Sequence, residues 1–554
     1  MFFYFKKYHR FIFYLLWLVI TLVQAGNTEL FDDEAYYWVY TKFPAWGYFD
    51  HPPMISWLIS AGYSVVKSEF GVRILIVFLN VCTIGVIEAM LRKKDPFLFY
   101  AICCSIAIVQ IGGMIAVPDL PLLFFTSLFF YTYQQYEEKR TIWLAIALGV
   151  IISLMLYSKY HAVLIILFTL LSNVKLFRRA EIYLAALVAL LLFAPHLYWQ
   201  YQHDFPSVQF HLFERNASSY KISFTLDYIA GQLLIAGPVI GWLLLWAAFK
   251  YQWMDPMERA VKFSMIGFYI FFLISSFKGR VEANWTIPSM IGIIILSHQY
   301  LHNKRLSKWI YRTVPVTLFL VLVVRVYMML DIPANAWAKK DEFHGNKNWV
   351  TYLKKHAAGN PVVFINSYQK PSKMWFYGNS FSFSLNTPIY RRNNFNYWPI
   401  EDSLFGKTVL VTGLYDSAIL KTRIGHPEFN RAGMRMISNF YSFSKIRLKK
   451  IKIKNVNNQL QFDFQIVAPA HYLQFFQTSP ADTAHIQLAV LKNDSTQYFP
   501  STFAVSNIRT VHTNASMAIP DFAGPGKYKG RLAISSAVPG HPSLNSSWFD
   551  ITIE

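Results

Sequence analysis

Apolar runs long enough to cross a bilayer, or nearly so, recur through the first 330 residues. They lie at 8–25, 72–91, 97–117, 120–136, 142–157, 160–174, 182–199, 226–249, 261–277, 286–301 and 311–330. A hydrocarbon core takes ~20 helical residues, so the pattern predicts about eleven transmembrane helices, with 142–157, 160–174 and 286–301 the shortest. Just beyond the first run, polar residues return in two bursts separated by aromatic residues, in FDDEAYYWVYTKFPAWGYFDHPP: Asp32-Asp33-Glu34, then Asp50-His51-Pro52-Pro53. The proline pair fixes backbone angles and ends any preceding helix, and 54–66 then reads as an amphipathic helix lying along the interface. Past residue 330 the pattern changes. Residues 348–356 read as a helix and 362–365 and 408–411 as strands, whereas from 445 onward only short alternating stretches remain, at 451–456, 460–466, 486–491 and 528–534. The expected organisation is a polytopic α-helical membrane domain at 1–335, a small α/β module at 336–440 and a β-sandwich-like module at 441–554, both modules extracytoplasmic.

Composition agrees. With 54% hydrophobic and 18% aromatic residues, 15% charged and a mean hydropathy of +0.29, the chain has more apolar surface than a soluble core of this length needs. The net charge of +21 invites a nucleic-acid reading. Much of the excess, however, stands in short clusters between apolar runs: Lys6, Lys7 and Arg10; Arg92, Lys93 and Lys94; Lys175, Arg178 and Arg179; Lys304, Arg305 and Lys308. That is the pattern of a positive-inside topology, and no nucleic-acid partner is expected. Threading the chain with its N-terminus inside puts these clusters in the cytoplasm. It puts the acidic loop, Pro118-Asp119, Ser158-Lys159, the loop 203–223 and the loop 278–285 outside together. The first run has signal-like flanks and a small-residue stretch, Gln24-Ala25-Gly26, but the many later spans favour a retained signal-anchor. Cys82, Cys103 and Cys104 all fall in spans, giving neither a disulfide framework nor zinc spacing.

Carboxylates at a membrane edge are costly to desolvate, so the acidic loop is the first place to seek chemistry. On a helix Asp32, Asp33 and Glu34 point about 100° apart and cannot all face one partner. One acts while its neighbour orients a helix or binds a metal, or else an aspartate simply caps the helix that begins there. Asp50 and His51 are presented from a stiff turn, where His51 either donates to a phosphate or sugar hydroxyl or caps the next helix. Asp119 is a helix cap or a metal or acceptor contact. Lys159 has no acidic neighbour in sequence, and a bound anion would satisfy it. Arg215 and Arg280, with Lys278 beside the latter, supply cations in two further outer loops, and a phosphate site needs such charge-assisted donors.

The strings DEAYYW, GYFDHPP, PDLPLLFF, YSKYHAVL, APHLYWQYQHDFPSVQFHLFERN and EANWTIP occur in this order from Asp32 to Pro288. Together they resemble the bacterial branch of the protein O-mannosyltransferase superfamily, which includes the lipid A aminoarabinose transferases, glycosyltransferases of GT-C fold. The segment NSYQKPSKMWFYGN at 366–379 is similar to the soluble part of some members, while the terminal β-rich module lies outside the match. The resemblance implies transfer of a sugar from a polyprenyl-phosphate carrier to an envelope acceptor (lipid A, another glycan or a protein) at the extracytoplasmic face of a bacterial inner membrane. It implies Asp33 as general base with Glu34 beside it shaping the site. Asp50, His51, Asp119 and Asn284 are then expected around the substrates, with Lys159, Arg215 and Arg280 neutralising the leaving phosphate. Some members use a divalent cation and others do not. Asp33, Glu34, Asp50, His51 and Asp119 carry suitable ligand atoms, so a cation is an option rather than an expectation.

Two readings of other classes compete. A transporter or flippase of a lipid-linked or anionic solute would place charges near the bilayer midplane and show inverted repeats, whereas here the charges gather at one face and no repeat is evident. A surface receptor built on the terminal module would explain the tail but not the acidic loop.

Overall fold

The computed structural model describes residues 2–214, 220–330, 342–414, 433–456, 459–478, 484–492, 495–519 and 526–553. The chain divides into two compact units, Met1–Trp337 and Ala338–Glu554.

The first unit is helical. Helix α1 (Phe2–Asn27) leads into the short helix α2 (Asp32–Tyr40), then α3 (Met54–Val65) and α4 (Glu69–Met90). The amphipathic helix expected after the proline pair is α3, with Pro53 as its N-cap. Almost every apolar run becomes helix, yet the count of eleven spans is not reproduced. Among the described residues four helices are long and apolar enough to cross a membrane: Lys7–Asn27, Glu69–Met90, Ala180–Gln202 and Ser307–Met329. Two further pairs qualify only as bent spans: Pro96–Ser105 with Ala107–Met114, turning by 85°, and Ile222–Ala236 with Gly241–Lys250, turning by 90°. The runs at 142–157 and 160–174 form helices of 17 and 11 residues, and the run at 286–301 starts as a 3₁₀ turn before Met290–Leu301. Hydropathy registers how apolar a run is but not where its backbone turns. At the first bend Ile106 is extended, and at the second Gly237 has φ +147°. A Cβ on Gly237 would sit 2.9 Å from the Ser105 carbonyl oxygen, so the two bends abut and only glycine fits both the backbone and the approach.

The core of this unit joins Trp17, Phe99, Phe130, Tyr133, Met155, Phe268 and Ile294, among others. Two basic clusters contribute ion pairs to it. Arg10 Nε reaches Glu88 at 3.1 Å, where the Tyr14 hydroxyl also donates at 2.7 Å, and Arg179 holds Glu137 through two nitrogens at 2.6 and 3.2 Å. Farther along, the buried Arg325 of Ser307–Met329 donates to Gln24 Oε1 of α1 and, at 2.7 Å, to the Gln110 carbonyl in the bent pair.

In the second unit the helices Asn346–Ala357 and Gln369–Gly378 accompany a four-stranded sheet. Its strands are β1 (Val362–Ile365), β2 (Ser382–Leu385), β3 (Val409–Leu414) and β4 (Gly433–Ile437), in the order β2-β1-β3-β4. The first three run parallel and β4 antiparallel, around Trp349, Leu353, Val362, Phe364 and Met374. The remainder comprises β5 (Arg447–Val456), β6 (Gln459–Val467), β7 (His485–Lys492), β8 (Ser495–Ala504), β9 (His512–Ile519), β10 (Gly526–Ile534), β11 (Ser543–Leu544) and β12 (Phe549–Ile553). These form a three-stranded sheet, β5-β6-β9, and a five-stranded one, β11-β10-β7-β8 with β12 on β10. Inward residues of both, including Leu448, Phe462 and Met517 from one and Leu488, Leu532 and Ile551 from the other, share a single apolar cluster. The helix and strands expected from periodicity at 348–356, 362–365, 408–411, 451–456, 460–466, 486–491 and 528–534 all have counterparts among these elements.

Candidate active site

The acidic loop is organised by one buried ion pair. Helix α2 begins at Asp32, so all three acids occupy its first turn, where the exposed N–H groups and the helix dipole favour negative charge. Neither aspartate acts as the N-cap residue, which is Phe31. Instead Glu34 reaches back: its Oε2 accepts from the Phe31 backbone N–H at 2.9 Å. Both its oxygens also receive the Arg73 guanidinium, Nε to Oε1 at 2.8 Å and Nη2 to Oε2 at 2.5 Å. The two side chains are 0% exposed. Arg73 spends its remaining donors on the carbonyls of Ala25, Thr28 and Glu29, at 3.1, 2.6 and 2.9 Å. The pair thus fastens the end of α1, the start of α2 and the start of α4. Glu34 Oε1 takes a further bond from the Ala116 N–H at 2.7 Å, which fixes the segment just ahead of Asp119. Every lone-pair direction of Glu34 is committed, while Asp32 and Asp33 beside it are half-buried.

The second burst is held differently. The buried Asp50 accepts from the Tyr40 hydroxyl at 2.5 Å, and its carbonyl meets His211 Nε2 at 3.1 Å. Burial first, then the Asp50 carboxylate, pushes the Tyr40 hydroxyl well above its ordinary range, so it remains a donor to Asp50 at any working pH. His51 stands edge-on to the Tyr37 ring, centroids 5.6 Å apart, and its carbonyl accepts from Tyr48 N–H at 3.1 Å. Around this turn runs a polar chain. Tyr160 donates to Ser207 at 3.0 Å and lies 3.1 Å from His196 Nε2, Gln200 Nε2 donates to Tyr160 at 2.9 Å, and Ser207 donates to the Tyr48 carbonyl at 3.1 Å.

The outer-loop residues converge in part. Lys159, expected to await an anion, already has a carboxylate: its Nζ lies 2.7 Å from Asp119 Oδ1, both side chains buried. Forty residues of sequence separate the two, which is why no acidic neighbour is visible in the motif. Asp119 heads the helix Asp119–Lys139, with Pro118 rather than itself as N-cap, and Asn284 Nδ2 approaches its other oxygen at 3.4 Å. Arg280 does not join them; it is 70% exposed and faces Glu282 at 3.4 Å. Arg215 lies outside the described residues.

Motif reading missed Arg73, Tyr40, Tyr160, His196 and Ser207. Arg73 had a signal, as a lone cation opening the apolar run at 72–91, where an ion needs a partner; His196 and Gln200 are one helical turn apart in APHLYWQ. Among the described residues no three His, Cys, Asp or Glu side chains converge as metal ligands. Glu34 and Asp119 are committed to cations of the protein itself, so no chemical step below is routed through a metal.

Residues 50–199 match the family model described as dolichyl-phosphate-mannose-protein mannosyltransferase. The lipid A galacturonosyltransferase RgtD of Rhizobium johnstonii is 24% identical over 305 residues, covering 52% of this chain and 64% of the relative, less than two thirds of its length. Crystal structures of ArnT from Cupriavidus metallidurans share the fold. The form bound to undecaprenyl phosphate aligns with TM-score 0.53 at 13% identity over 72% of this chain and 92% of that one. The apo form aligns with TM-score 0.56 at 12% identity over 74% and 93%. Motif order, family model and fold point the same way: residues 50–199 are similar to that mannosyltransferase family, and the chain shares its fold with ArnT.

Proposed function

We propose that the protein transfers a sugar from a polyprenyl-phosphate carrier to a hydroxyl or phosphate of an envelope acceptor, lipid A, another glycan or a protein, at the extracytoplasmic face of a bacterial inner membrane. The observation that carries this is the Glu34–Arg73 pair. It anchors the first turn of α2 from three sides, with Asp33 next to Glu34 in that same turn. A general base needs that rigidity, since a carboxylate works only when held against the proton it removes. For a hydroxyl acceptor, Asp33 takes the proton as the oxygen attacks the anomeric carbon. The bond from that carbon to the carrier phosphate breaks, and the electron pair leaves on phosphate, so no strong general acid is required. Glu34 is a positioning residue and not a second base.

Lys159 uses one of its three ammonium protons on Asp119, leaving donors for a phosphate oxygen. Asp119 and Asn284 orient it, and Arg280 supplies a mobile cation at the rim. Such electrostatic groups favour the leaving phosphate more as its charge develops. Asp50 and His51, on the turn fixed by Tyr40, face the acceptor. ArnT was crystallised with undecaprenyl phosphate and RgtD is named for lipid A, which supports a carrier and an acceptor of these kinds. Eleven crossings, with the bent pairs and short helices counted, and an extracytoplasmic sandwich complete the reading.

The experiment is transfer from radiolabelled polyprenyl-phosphate sugars to envelope acceptors by protein in lipid, wild type against Asp33→Asn. A fall of roughly 10²- to 10⁴-fold with carrier binding retained is expected; full activity in the variant moves the base elsewhere. One observation favours a second reading. The two abutting bent pairs are the kind of discontinuous helix that transporters use. Carrier movement across the bilayer without any transfer would select a transporter or flippase.

A further inference from the structure

The second unit carries an excess of positive charge that no membrane topology accounts for. Residues 338–554 hold 25 Lys and Arg against 12 Asp and Glu, a net +13 of the chain's +21. The densest part is β5, whose sequence RLKKIKIKNV places Lys449, Lys450, Lys452 and Lys454 within six residues. The strand order β5-β6-β9 leaves β5 at the edge of its sheet. Strand alternation sends Leu448, Ile451 and Ile453 to the apolar cluster, and Lys450, Lys452 and Lys454 are exposed. Between Lys449 and Lys452 the register with β6 shifts and Lys450 takes φ +53°, a bulge that adds a lysine to the outward row.

The rest of the outward face is polar and flat. Across the ladder Lys452 stands opposite Asp463, which stands opposite Ser516; Lys454 stands opposite Gln461, and Gln465 opposite Asn514. Gln461 donates to Ser516 at 3.0 Å. Val467, opposite Arg447 and His512, ends the outward row of β6. The single acid, Asp463, meets Lys454 at 3.0 Å, and the hydrogen bonds from Lys454 and Ser516 hold its carboxyl below the usual range.

We propose that the outward face of the β5-β6-β9 sheet is a docking surface for phosphate-bearing lipid headgroups. Three exposed lysines at two-residue spacing along an edge strand present a row of cations with one compensating acid, complementary to a plane of phosphates. The arginine at the start of the strand, Arg447, lies over the Tyr397 ring at 5.1 Å, and the row beyond it is made of ammonium groups, which act as point charges on a lipid surface. This inference does not rest on the transferase reading. The competing role of edge lysines is to prevent strand-to-strand aggregation, and the experiment separates the two.

Full-length protein in zwitterionic nanodiscs is incubated with vesicles of phosphatidylglycerol or of phosphatidylcholine, and capture is measured by flotation. Wild type is expected to bind phosphatidylglycerol selectively and to release it at high salt. The variant K450Q/K452Q/K454Q is expected to bind on the order of a hundredfold more weakly, about fivefold per lysine, and K450R/K452R/K454R to retain binding. Lys527 and Lys529, exposed on the other sheet, give the control K527Q/K529Q, which removes the same charge as K450Q/K452Q and should change little. Equal capture of both lipids, an unweakened glutamine variant that merely self-associates, or equal loss in the control would overturn the proposal. Should the triple variant aggregate, K452Q alone reads a roughly fivefold loss.

Discussion

Among the described residues Glu34, Glu258 and Glu401 are completely buried, and the first and last of these are kept by opposite means. Glu34 in the helical unit is met by a guanidinium through both oxygens. Glu401 in the β-containing unit is held by hydroxyls and an amide: it accepts from Ser442 Oγ, from Ser444 N–H and Oγ at 2.9 Å each, and from the Tyr472 hydroxyl at 3.3 Å. The nearby ammonium of Lys445 goes to its neighbour Asp402, at 2.5 Å, beside His471 at 3.1 Å. Burial therefore prevails over the hydrogen bonds and the Lys445 charge, and the Glu401 carboxyl is pushed up from its ordinary value of 4.5. An ion pair makes a carboxylate a fixed strut; a set of hydroxyls leaves it able to take a proton. The strut stands beside the candidate base, where geometry must not vary, and the titratable group lies between the strands before and after residue 440.

Breaking either kind of support should sort the two. The largest effect is expected from Arg73→Met, which strands Glu34 without its counter-ion and should destabilise the helical unit by about 3–5 kcal/mol, read as a fall in melting temperature in lipid. The double change Glu34→Leu/Arg73→Met should be less harmful than Arg73→Met alone, because the uncompensated charge is gone; an equal or greater loss would mean that packing, not charge, sets the cost. Next comes Lys159→Met, which leaves Asp119 in the same predicament but nearer the proposed donor site. Transfer should fall more than carrier binding, and Asp119→Asn in the same background should restore part of the stability. Tyr40→Phe removes one bond to a buried carboxylate, worth about 1.5–3 kcal/mol, and its effect should stay within the helical unit.

The smallest effect belongs to pH. A carboxyl whose folded value is raised favours the folded state below its unfolded value, and that contribution disappears as pH rises through the raised value. The β-containing unit should therefore gain stability as pH falls from neutral toward 4.5, and Glu401→Gln should flatten that slope. An unchanged slope in the variant would assign it to another group, with His471 the first to test.

How much of this was legible without coordinates follows from the range of each interaction. The start of α3 after Pro53 and the strands at 362–365 and 460–466 depend on neighbours a few residues away, and periodicity finds them. The first turn of α2 was also legible, down to the idea that one of its acids orients a helix. Its partner Arg73 lies 39 residues on and Lys159 lies 40 from Asp119, and local pattern has no means of joining such pairs. The bends at Ile106 and Gly237 escaped for a related reason: hydropathy sums side chains, while the turn depends on a backbone conformation and on what packs beside it.

Arg325 shows what such distance means in time. Its acceptors Gln24 and the Gln110 carbonyl precede it by 301 and 215 residues. A cation in an apolar setting is tolerated only once its partners are in place. During synthesis α1 and the first bent pair must therefore wait, with acceptors exposed, until the helix Ser307–Met329 leaves the ribosome. The last helix of the unit inspects the first, and a chain that ends early or inserts it the wrong way round lacks the contact that closes the bundle.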